Sequence, residues 1–347
     1  MSGGVDSSAA ALVLLRAGYE VSGVTMLLHK NGWEDTSLCG STKEAEDAAA
    51  VCRHLGISHQ VVDFSPIFAE MVQQNFISEY TAGRTPNPCI RCNRYLKFGA
   101  MLDYALKAGF DYVATGHYAL VEQENDRFLL RRAPTDKDQS YVLYQLSQHQ
   151  LSHVLTPLGR MEKPEIRRLA EEAGLPVAHK AESQDICFIP DGDYNGFLAR
   201  ETGREPESGD FVDAQGHVLG RHRGITRYTI GQRKGLGISF GQPMYVTKID
   251  PASNQVTLGP EGSQYAPGLL AGDVNWIAFD QPKEPFEAQV KVRYRAGASA
   301  AMVFPLEDGR VRVEFAEPQR SVTPGQAAVF YLGDVVAGGG TILSPLP

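Results

Sequence analysis

The pattern of predicted secondary structure changes once along this chain, near Gly209. Before that point helix-like and strand-like segments alternate, and after it short strands separated by glycine-containing turns dominate. Alternation predicts a parallel, doubly wound α/β sheet, whereas a run of short strands predicts a small barrel or sandwich. We therefore expect an α/β domain over residues 1–190, a small basic connector domain over 191–265 and a β-barrel over 266–347.

The predicted elements follow from capping residues, helix-ending glycines and runs of β-branched residues. Ser41 and Glu44 have capping-box spacing, and Gly56 follows the end of that helix. The expected helices are Ser7–Ala17, Ser41–Leu55, Pro66 to about Tyr80, Cys92–Ala108 and Pro164–Ala173. The expected strands include Glu20–Met26, Ser58–Phe64 and Asp111–Thr115, and later Ala288–Tyr294, Ala300–Pro305, Arg310–Phe315 and Ala327–Tyr331.

Charge is distributed unevenly along the 347 residues. Lys and Arg total 33 and Asp and Glu total 41, so the net charge of −8 argues against a general nucleic-acid coat protein. Three stretches, 80–102, 214–249 and 288–306, nevertheless contain basic residues and no acidic ones. They indicate a localised polyanion site, with chance clustering in solvated loops as the alternative. No apolar run approaches the roughly 18–20 residues that span a bilayer, and we expect a cytoplasmic protein without a membrane partner.

A glycine-rich turn, Ser2-Gly3-Gly4-Val5-Asp6-Ser7-Ser8, leads directly into the first predicted helix. The glycines let backbone amides approach phosphate oxygens, and a helix N-terminus favours an anion. The two serines following Asp6 add hydroxyl donors, and Asp6 is placed to hold Mg²⁺ or to position a leaving pyrophosphate. The Walker pattern is absent from the sequence. The spacing by itself is equally typical of an ordinary turn before a helix.

The five cysteines are too few, and odd in number, for a disulfide scaffold in a chain of this length. Cys92 lies beside two arginines near the start of a predicted helix, an environment that lowers a thiol pKa and favours the thiolate. Cys187 lies in a loop-to-strand segment far along the chain. Cys52 falls on the apolar face of a helix and is expected in the core, and packing is also favoured for Cys39.

Seven motifs occur in order: SGGVDSS at 2–8, TPNPCIRCN at 85–93, ATGHY at 114–118, KDQSY at 137–141, SQDICFI at 183–189, YTIGQRKGLG at 228–237 and VRYR at 292–295. The first resembles the pyrophosphatase loop of N-type ATP pyrophosphatases. Together the motifs resemble the tRNA-specific 2-thiouridylase (MnmA) family over essentially the whole chain. In that superfamily a hydrophobic strand precedes the loop, so we expect the catalytic domain here without its first strand.

The resemblance implies a set of residues for each part of the chemistry. Those that would bind ATP with Mg²⁺ are Met1, Ser2, Gly3, Gly4, Val5, Asp6, Ser7, Ser8, Met26 and Gly116. Cys92 would be the nucleophile and Cys187 the carrier of a persulfide. The target base would be contacted by Asn87, Pro88 and Cys89, and the rest of the tRNA by Lys137, Asp138, Gln139, Arg293 and Tyr294.

The implied reaction is ATP-dependent 2-thiolation of the wobble uridine of tRNA, through adenylation of its C2 oxygen. Two sulfur routes remain open, because many family members have Asp where this chain has Cys89. In one route Cys92 resolves a persulfide on Cys187 and leaves a disulfide. In the other, Cys89, Cys92 and Cys187 bind a [4Fe–4S] cluster whose open iron holds hydrosulfide. A zinc site has no obvious fourth protein ligand. The implied partners are tRNA and a sulfur-donor protein, either a cysteine desulfurase or a sulfur-relay carrier.

Two other functions compete with this interpretation. One is a tRNA-modifying ATP pyrophosphatase that uses an amine, which reactive cysteines in two separate motifs disfavour. The other is a non-catalytic RNA-binding protein with a decayed nucleotide loop, which the missing first strand keeps open.

Several motif residues also have purely structural interpretations. Asp138 is suited to cap a helix, and His117 to cap the turn rather than face a nucleotide. The glycines of 231–237 suit close approach to RNA phosphates or, alternatively, a flexible connector. We also expect Arg293 and Tyr294 to alternate on a strand, so that one of them faces solvent.

Overall fold

A computed structural model describes residues 1–29, 41–181 and 186–347. Cys39 and residues 183–185 of the SQDICFI motif lie outside the described residues. Backbone contacts divide the chain into two units. Unit 1 comprises Met1–Gln73, Pro88–Gly192 and Asp334–Val336, and unit 2 comprises Gln74–Asn87, Asp193–Gly333 and Ala337–Pro347. Within the described ranges no helix is both long enough and apolar enough to span a membrane.

Unit 1 has the predicted α/β character. Strand β1 (Gly23–Leu27) pairs in parallel with β2 (His59–Asp63), and β3 (Val113–Ala114) pairs in parallel with β6 (Val154–Leu155). Along the chain, an antiparallel hairpin that the sequence analysis did not predict follows β3 and precedes β6. It is formed by β4 (Ala119–Glu124) and β5 (Arg127–Arg132). The α-helices are α1 (Val5–Arg16), α2 (Thr42–Leu55), Ser65–Phe68, Pro88–Arg91, Met101–Lys107, Gln148–Leu151 and Lys163–Glu172. Wider π-helical turns cover Ala69–Gln73 and Cys92–Ala100, and a 3₁₀ turn covers Ser140–Leu143.

The local signals around α2 act as predicted. The Ser41 hydroxyl accepts from the Glu44 amide at 3.4 Å and caps the helix. Gly56 ends the helix in the left-handed region at φ +71°, where a side chain would be strained.

The core of unit 1 brings α1 against the helix Lys163–Glu172. Ala9, Ile166 and Ala170 are each fully buried at this contact. Small alanine side chains on α1 let the two helices approach closely. The packing therefore fixes the first turn of Lys163–Glu172 beside the glycine-rich loop.

The helical segment that carries the CxxC motif begins at Pro88, four residues before the predicted start at Cys92. Proline suits a first helical position because its missing N–H has no partner there. Cys92 therefore lies inside the segment, at the start of the π-helical turn, and not at a helix N-terminus. The side-chain amide of Gln150 supports this turn by donating to the carbonyls of Arg94 at 3.0 Å and Phe98 at 2.6 Å.

Unit 2 contains two α-helices, Gln74–Thr81 and Tyr194–Thr202, a 3₁₀ turn, Ile225–Arg227, and two β structures. The helices pack through aromatic pairs, with the Tyr80 and Tyr194 rings stacked at 5.1 Å. A four-stranded sheet has the order β8-β7-β10-β9, formed by β7 (Gly209–Val212), β8 (Val218–His222), β9 (Tyr245–Asp250) and β10 (Gln255–Gly259).

The remaining strands of unit 2 form the expected barrel. Its order is β11-β14-β13-β12-β15-β16, and pairing of β16 with β11 closes it. Alternate residues fill the interior, among them the fully buried Leu269, Val303 and Val313. The strands are β11 (Tyr265–Trp276), β12 (Phe286–Lys291), β13 (Ser299–Pro305), β14 (Val311–Arg320), β15 (Ala327–Leu332) and β16 (Val335–Pro345).

Candidate active site

The glycine-rich loop forms a tight turn at the N-terminus of α1. Gly3 has φ +63°, and a Cβ there would lie 2.6 Å from the Glu44 carbonyl oxygen, so only glycine fits. No side chain caps α1, because its N-cap residue is Gly4. The first-turn amides of the helix are thus suited to an external anion.

The two serines of the loop use their hydroxyls within the loop itself. Ser7 and Ser8 donate to the Gly4 carbonyl at 3.1 and 2.9 Å. Ser8 is fully buried, so its hydroxyl is not available as the phosphate donor that the sequence suggested. Phosphate contacts at this turn would therefore come chiefly from backbone amides.

A cavity of about 220 Å³ opens beside the loop. Of the predicted nucleotide residues, those that line it are Met1, Ser2, Asp6, Ser7, Met26 and Gly116, whereas Gly3, Gly4, Val5 and Ser8 do not. The other lining residues are Val24, Thr25, Leu28, Glu44, Lys97, Met101, Ala114, Thr115, His117 and Gln139. Apolar side chains from β1 and the CxxC segment thus face polar groups from the loop and from the end of β3. This mixture suits a ligand with one flat apolar part and one anionic part.

Gly116 brings the end of β3 into contact with the loop. A Cβ at this position would lie 2.8 Å from both the carbonyl carbon and the Cβ of Asp6. A larger residue would push the loop away from the cavity. The structure thus gives a physical reason for glycine in the ATGHY motif.

Asp6 is held by two side chains from elsewhere in unit 1. The Lys163 ammonium donates to both carboxylate oxygens, at 2.7 and 2.8 Å, and the Tyr118 hydroxyl donates to one of them at 2.8 Å. The Lys163 side chain is 11% exposed and that of Asp6 is 32% exposed. The charge of Asp6 is therefore compensated by Lys163, a residue that is not among those lining the cavity.

His117 lies in the cavity wall, where Nδ1 is 2.8 Å from the Thr115 hydroxyl and the ring lies 5.9 Å from that of Phe98. Burial, and secondly the positive charge of Lys97, holds the pKa of His117 well below 6.5. The imidazole is therefore neutral at pH 7. A neutral ring lining the cavity fits the nucleotide-facing alternative, while its bond to Thr115 serves the turn.

Cys92 is connected to the cavity by its own helical segment. It is buried; its own π-helical turn supplies Lys97 to the cavity wall, and the helix that follows directly, Met101–Lys107, supplies Met101. Asn93, the next residue, donates to the Val142 carbonyl at 3.0 Å and so fixes the segment against the turn that begins after Gln139. Of the two arginines expected beside Cys92, Arg91 donates to the Met71 carbonyl at 2.7 Å, and both Arg91 and Arg94 lie over the Tyr95 ring.

Cys187 lies in a turn and not in the predicted loop-to-strand segment. The turn is closed by a bond from the Ile189 amide to the Ile186 carbonyl at 2.8 Å. Its neighbour Phe188 is buried and packs edge-on against Phe68, with the ring centres 5.6 Å apart. The turn is therefore held in the core by Phe188, whereas Cys187 itself is partly exposed.

The structure does not assemble a metal site from the three cysteines. Over residues 1–29, 41–181 and 186–347, no three His, Cys, Asp or Glu side chains are grouped as metal ligands. Cys89, which is exposed, Cys92 and Cys187 are all among those residues. The donor set for a [4Fe–4S] cluster is thus present in the sequence but is not brought together.

Three family comparisons cover most of the chain. Residues 1–191 match the tRNA methyl transferase HUP domain, 195–260 the tRNA methyl transferase PRC-barrel domain and 266–342 the aminomethyltransferase β-barrel domain. The tRNA-specific 2-thiouridylase MnmA of Acetivibrio thermocellus is 50% identical over 99% of this chain and 97% of its own length. That of Pelotomaculum thermopropionicum is 51% identical over 99% and 96%.

This chain belongs to the tRNA-specific 2-thiouridylase family. Among solved structures, the U34-tRNA thiolase NcsA from Methanococcus maripaludis matches 58% of this chain and 64% of its own, with 18% identity and a TM-score of 0.34. That likeness is too distant to bear on the thiouridylase residues.

The tRNA contacts that the thiouridylase family implies occupy very different environments here. Within KDQSY, Lys137 is exposed, whereas the Asp138 carboxylate accepts from the amides of Ala133 and Ser140 at 3.0 and 3.1 Å. Asp138 thus closes a local turn, but Gln139 occupies the N-cap position of the 3₁₀ turn Ser140–Leu143 and makes no side-chain cap, so a capping role for Asp138 is not confirmed. Gln139 lines the nucleotide cavity and accepts from the Tyr118 amide at 3.0 Å. For these three residues, contact with tRNA stays a prediction.

The VRYR motif does not lie on a strand as predicted. Strand β12 ends at Lys291, and Arg293 and Tyr294 form the bend that follows. Beyond the strand end the Arg293 guanidinium donates to the Ile230 carbonyl at 3.0 Å and to the Thr323 hydroxyl. Arg293 thus has a structural role in unit 2 in addition to any role with RNA.

Lys163 is a residue of the candidate site that the sequence analysis missed. It occupies the first position of the helix Lys163–Glu172. A cation at a helix N-terminus opposes the helix dipole, so a lysine there needs an anionic partner. A lysine at this position of the sequence therefore indicated that an acidic partner was needed. Only the fold identifies Asp6 as that partner.

Proposed function

We propose that this protein thiolates a uridine of tRNA at C2, with ATP providing the activation and cysteines carrying the sulfur. One observation supports this most directly. The π-helical turn that begins at Cys92 also lines the cavity beside the glycine-rich loop through Lys97, and the helix that follows it does so through Met101. One cavity is thus bordered both by the proposed nucleotide-activating loop and by the segment that carries a thiol. This arrangement suits activation of a substrate followed by sulfur transfer.

The first proposed step activates an unreactive carbonyl. The uridine C2 oxygen attacks the α-phosphate of ATP, forming an O-adenylated base and releasing pyrophosphate. Amides of the first turn of α1 would stabilise the charge that develops on the phosphates. Mg²⁺ carried by the triphosphate would supply further charge neutralisation, and Asp6, which lines the cavity, is the loop residue that would hold it.

The second proposed step replaces the activated oxygen. The terminal sulfur of a Cys187 persulfide attacks C2, and AMP leaves with the former C2 oxygen. The Cys92 thiolate then attacks Cys187 Sγ and breaks its bond to the transferred sulfur. The products are 2-thiouridine and a Cys92–Cys187 disulfide, which a thiol reductant restores. A sulfur-donor protein must then reload Cys187 with persulfide sulfur.

Access to the base requires the uridine to leave the anticodon stack, at a cost of a few kcal/mol. Asn87, Pro88 and Cys89 are proposed to hold the extruded base. The exposed Lys137 in unit 1 and the acid-free stretch 214–249 in unit 2 are proposed to bind phosphates, which offsets that cost.

We derive no step through a [4Fe–4S] cluster, because the described cysteines are not grouped as ligands. Anaerobic reconstitution with iron and sulfide, followed by iron analysis and absorbance spectroscopy, tests this choice. If the protein bound stoichiometric iron and showed charge-transfer absorbance, that result would support the cluster route and contradict the persulfide route.

The proposed function is tested by incubating the protein with tRNA, ATP, Mg²⁺, a thiol reductant, and a cysteine desulfurase with cysteine as the persulfide donor, then analysing the nucleosides by mass spectrometry. We expect a sulfur-for-oxygen mass increase at uridine that depends on ATP. An amine adduct would instead support the amine-using pyrophosphatase. ATP-independent binding with unchanged nucleosides would support the RNA-binding protein.

A further inference from the structure

A turn of the barrel forms hydrogen bonds with the segment that precedes the CxxC motif. The barrel turn, Ser321–Gln326, and the segment Thr85–Asn87 both belong to unit 2. The Thr85 amide donates to the Pro324 carbonyl at 2.9 Å, and the Gln326 side-chain amide donates to the Thr85 carbonyl at 2.8 Å. Both backbone groups of Thr85 are therefore satisfied by one turn.

Close packing adds to these bonds. Gly325 has φ +89°, and a Cβ there would lie 3.0 Å from the backbone of Thr85. On another side, the Thr85 hydroxyl donates to that of Thr229 at 3.3 Å. The segment is thus held by the barrel turn and by the loop that begins the YTIGQRKGLG motif.

The barrel turn is itself braced through a buried hydroxyl. Thr323 is 1% exposed; its hydroxyl donates to the Ser321 carbonyl at 2.8 Å and accepts from Arg293. The same arginine donates to the Ile230 carbonyl. A Cβ at Gly231, which follows, would overlap the Ser321 hydroxyl at 1.7 Å. This glycine of the motif therefore serves close approach to the protein's own barrel turn.

We propose that Thr323 is a positioning residue that fixes Thr85–Asn87 for the reaction. This inference rests on the proposed function, in which Asn87 contacts the target base. Thr323 is buried, so it acts through the barrel turn and not by touching RNA. A loop that must present a base accurately gains from such bracing, since small misplacements cost up to about 100-fold in rate.

The test uses the full-length protein and three variants. Thr323→Val keeps the shape but removes the hydroxyl, Thr323→Ser keeps the hydroxyl, and Thr341→Val on β16 is the control. Pro86 and Pro88 lack amide protons, so exchange in this stretch is reported by Thr85 and Asn87. We expect Thr323→Val to speed hydrogen exchange at Thr85 at least tenfold in the free protein. We also expect it to lower kcat for thiolation about tenfold with little change in KM for ATP. Thr323→Ser should restore both properties, and the control should change neither.

A second variant covers the case in which Thr323→Val fails to fold. Gln326→Glu replaces the donor to the Thr85 carbonyl by an acceptor, and Gln289→Glu on the exposed barrel face matches its charge change. Faster exchange at Thr85 in Gln326→Glu alone would support the inference.

The inference is overturned if Thr85 exchanges at the wild-type rate in a folded Thr323→Val protein. It is equally overturned if exchange accelerates while kcat is unchanged. Absence of thiolation by the wild-type protein would defeat the proposed function itself, and the positioning role with it. Exchange in the free protein separates these failures, because it needs neither tRNA nor ATP.

Discussion

The Lys163 ammonium donates to both carboxylate oxygens of Asp6, a residue of the glycine-rich loop, at 2.7 and 2.8 Å. A bare carboxylate at a helix N-terminus would compete with, and repel, an incoming triphosphate. The lysine cancels that charge while the Tyr118 hydroxyl fixes the orientation of the carboxylate. The ion pair therefore reduces the repulsion between the acidic loop residue and an anionic ligand in the cavity.

Lys163→Met is expected to raise the KM for ATP about tenfold, equivalent to about 1.4 kcal/mol. The variant leaves the Asp6 charge without its cation beside the phosphates. It should also lower the free energy of unfolding by about 1–2 kcal/mol, less than for a fully buried pair because Asp6 is partly exposed. ATP titration and urea denaturation measure the two effects. Lys107→Met, which removes an exposed lysine, should leave the KM for ATP unchanged; an unchanged KM in Lys163→Met as well would refute the role of the pair.

Gly116→Ala is expected to weaken ATP binding by tenfold or more, because the new methyl group would collide with the backbone of Asp6. The loop must shift away from β3, which disturbs the amides proposed to meet the phosphates. Isothermal titration with a non-hydrolysable ATP analogue checks this. Gly297→Ala is the matched control, since a Cβ there meets nothing within 4 Å. Equal affinities for the two variants would contradict the prediction.

His117 gives the site a defined response to pH. Its pKa is held well below 6.5 by burial first and by Lys97 second. The unfolded chain therefore binds a proton that the folded imidazole does not, so this group's contribution to stability is lost as pH falls below about 6.5. Between pH 7.5 and pH 5.5 the wild-type protein should lose more unfolding free energy than His117→Gln, as measured by urea denaturation.

The same histidine also tests the influence of Lys97. In Lys97→Met the His117 pKa should rise, but it should stay below 6.5 because burial is the larger cause. NMR titration of the imidazole protons measures it, with the exposed Lys43→Met as control. A His117 pKa at or above 6.5 in the wild-type protein would show that the ring is not enclosed as described.

Cys187→Ser is expected to abolish thiolation while sparing adenylation, because only the sulfur carrier is lost. Pyrophosphate release and nucleoside mass spectrometry follow the two steps separately. Cys52→Ala removes a thiol from the core, where burial raises its pKa, and should retain thiolation. Loss of adenylation together with thiolation would show that Cys187 acts before sulfur transfer.

The sequence by itself determined the elements whose causes are local. Ser41 and Gly56 bound α2 because a cap and a left-handed glycine act on adjacent backbone groups. The alternation before Gly209 and the short strands after it set the two kinds of fold, since burial follows periodicity. Motif order also identified the family and, through that resemblance, six of the sixteen residues that line the cavity.

Tertiary structure decided which distant residues meet. Nothing near Lys163 in sequence reveals its bond to Asp6, because the pair depends on how α1 packs against a helix more than 150 positions away. VRYR has the pattern of a strand, yet Arg293 leaves it to bond Ile230 and Thr323. Local propensity contributes only a small free energy per residue, and the hydrogen bonds of a charged guanidinium to partly buried acceptors outweigh it.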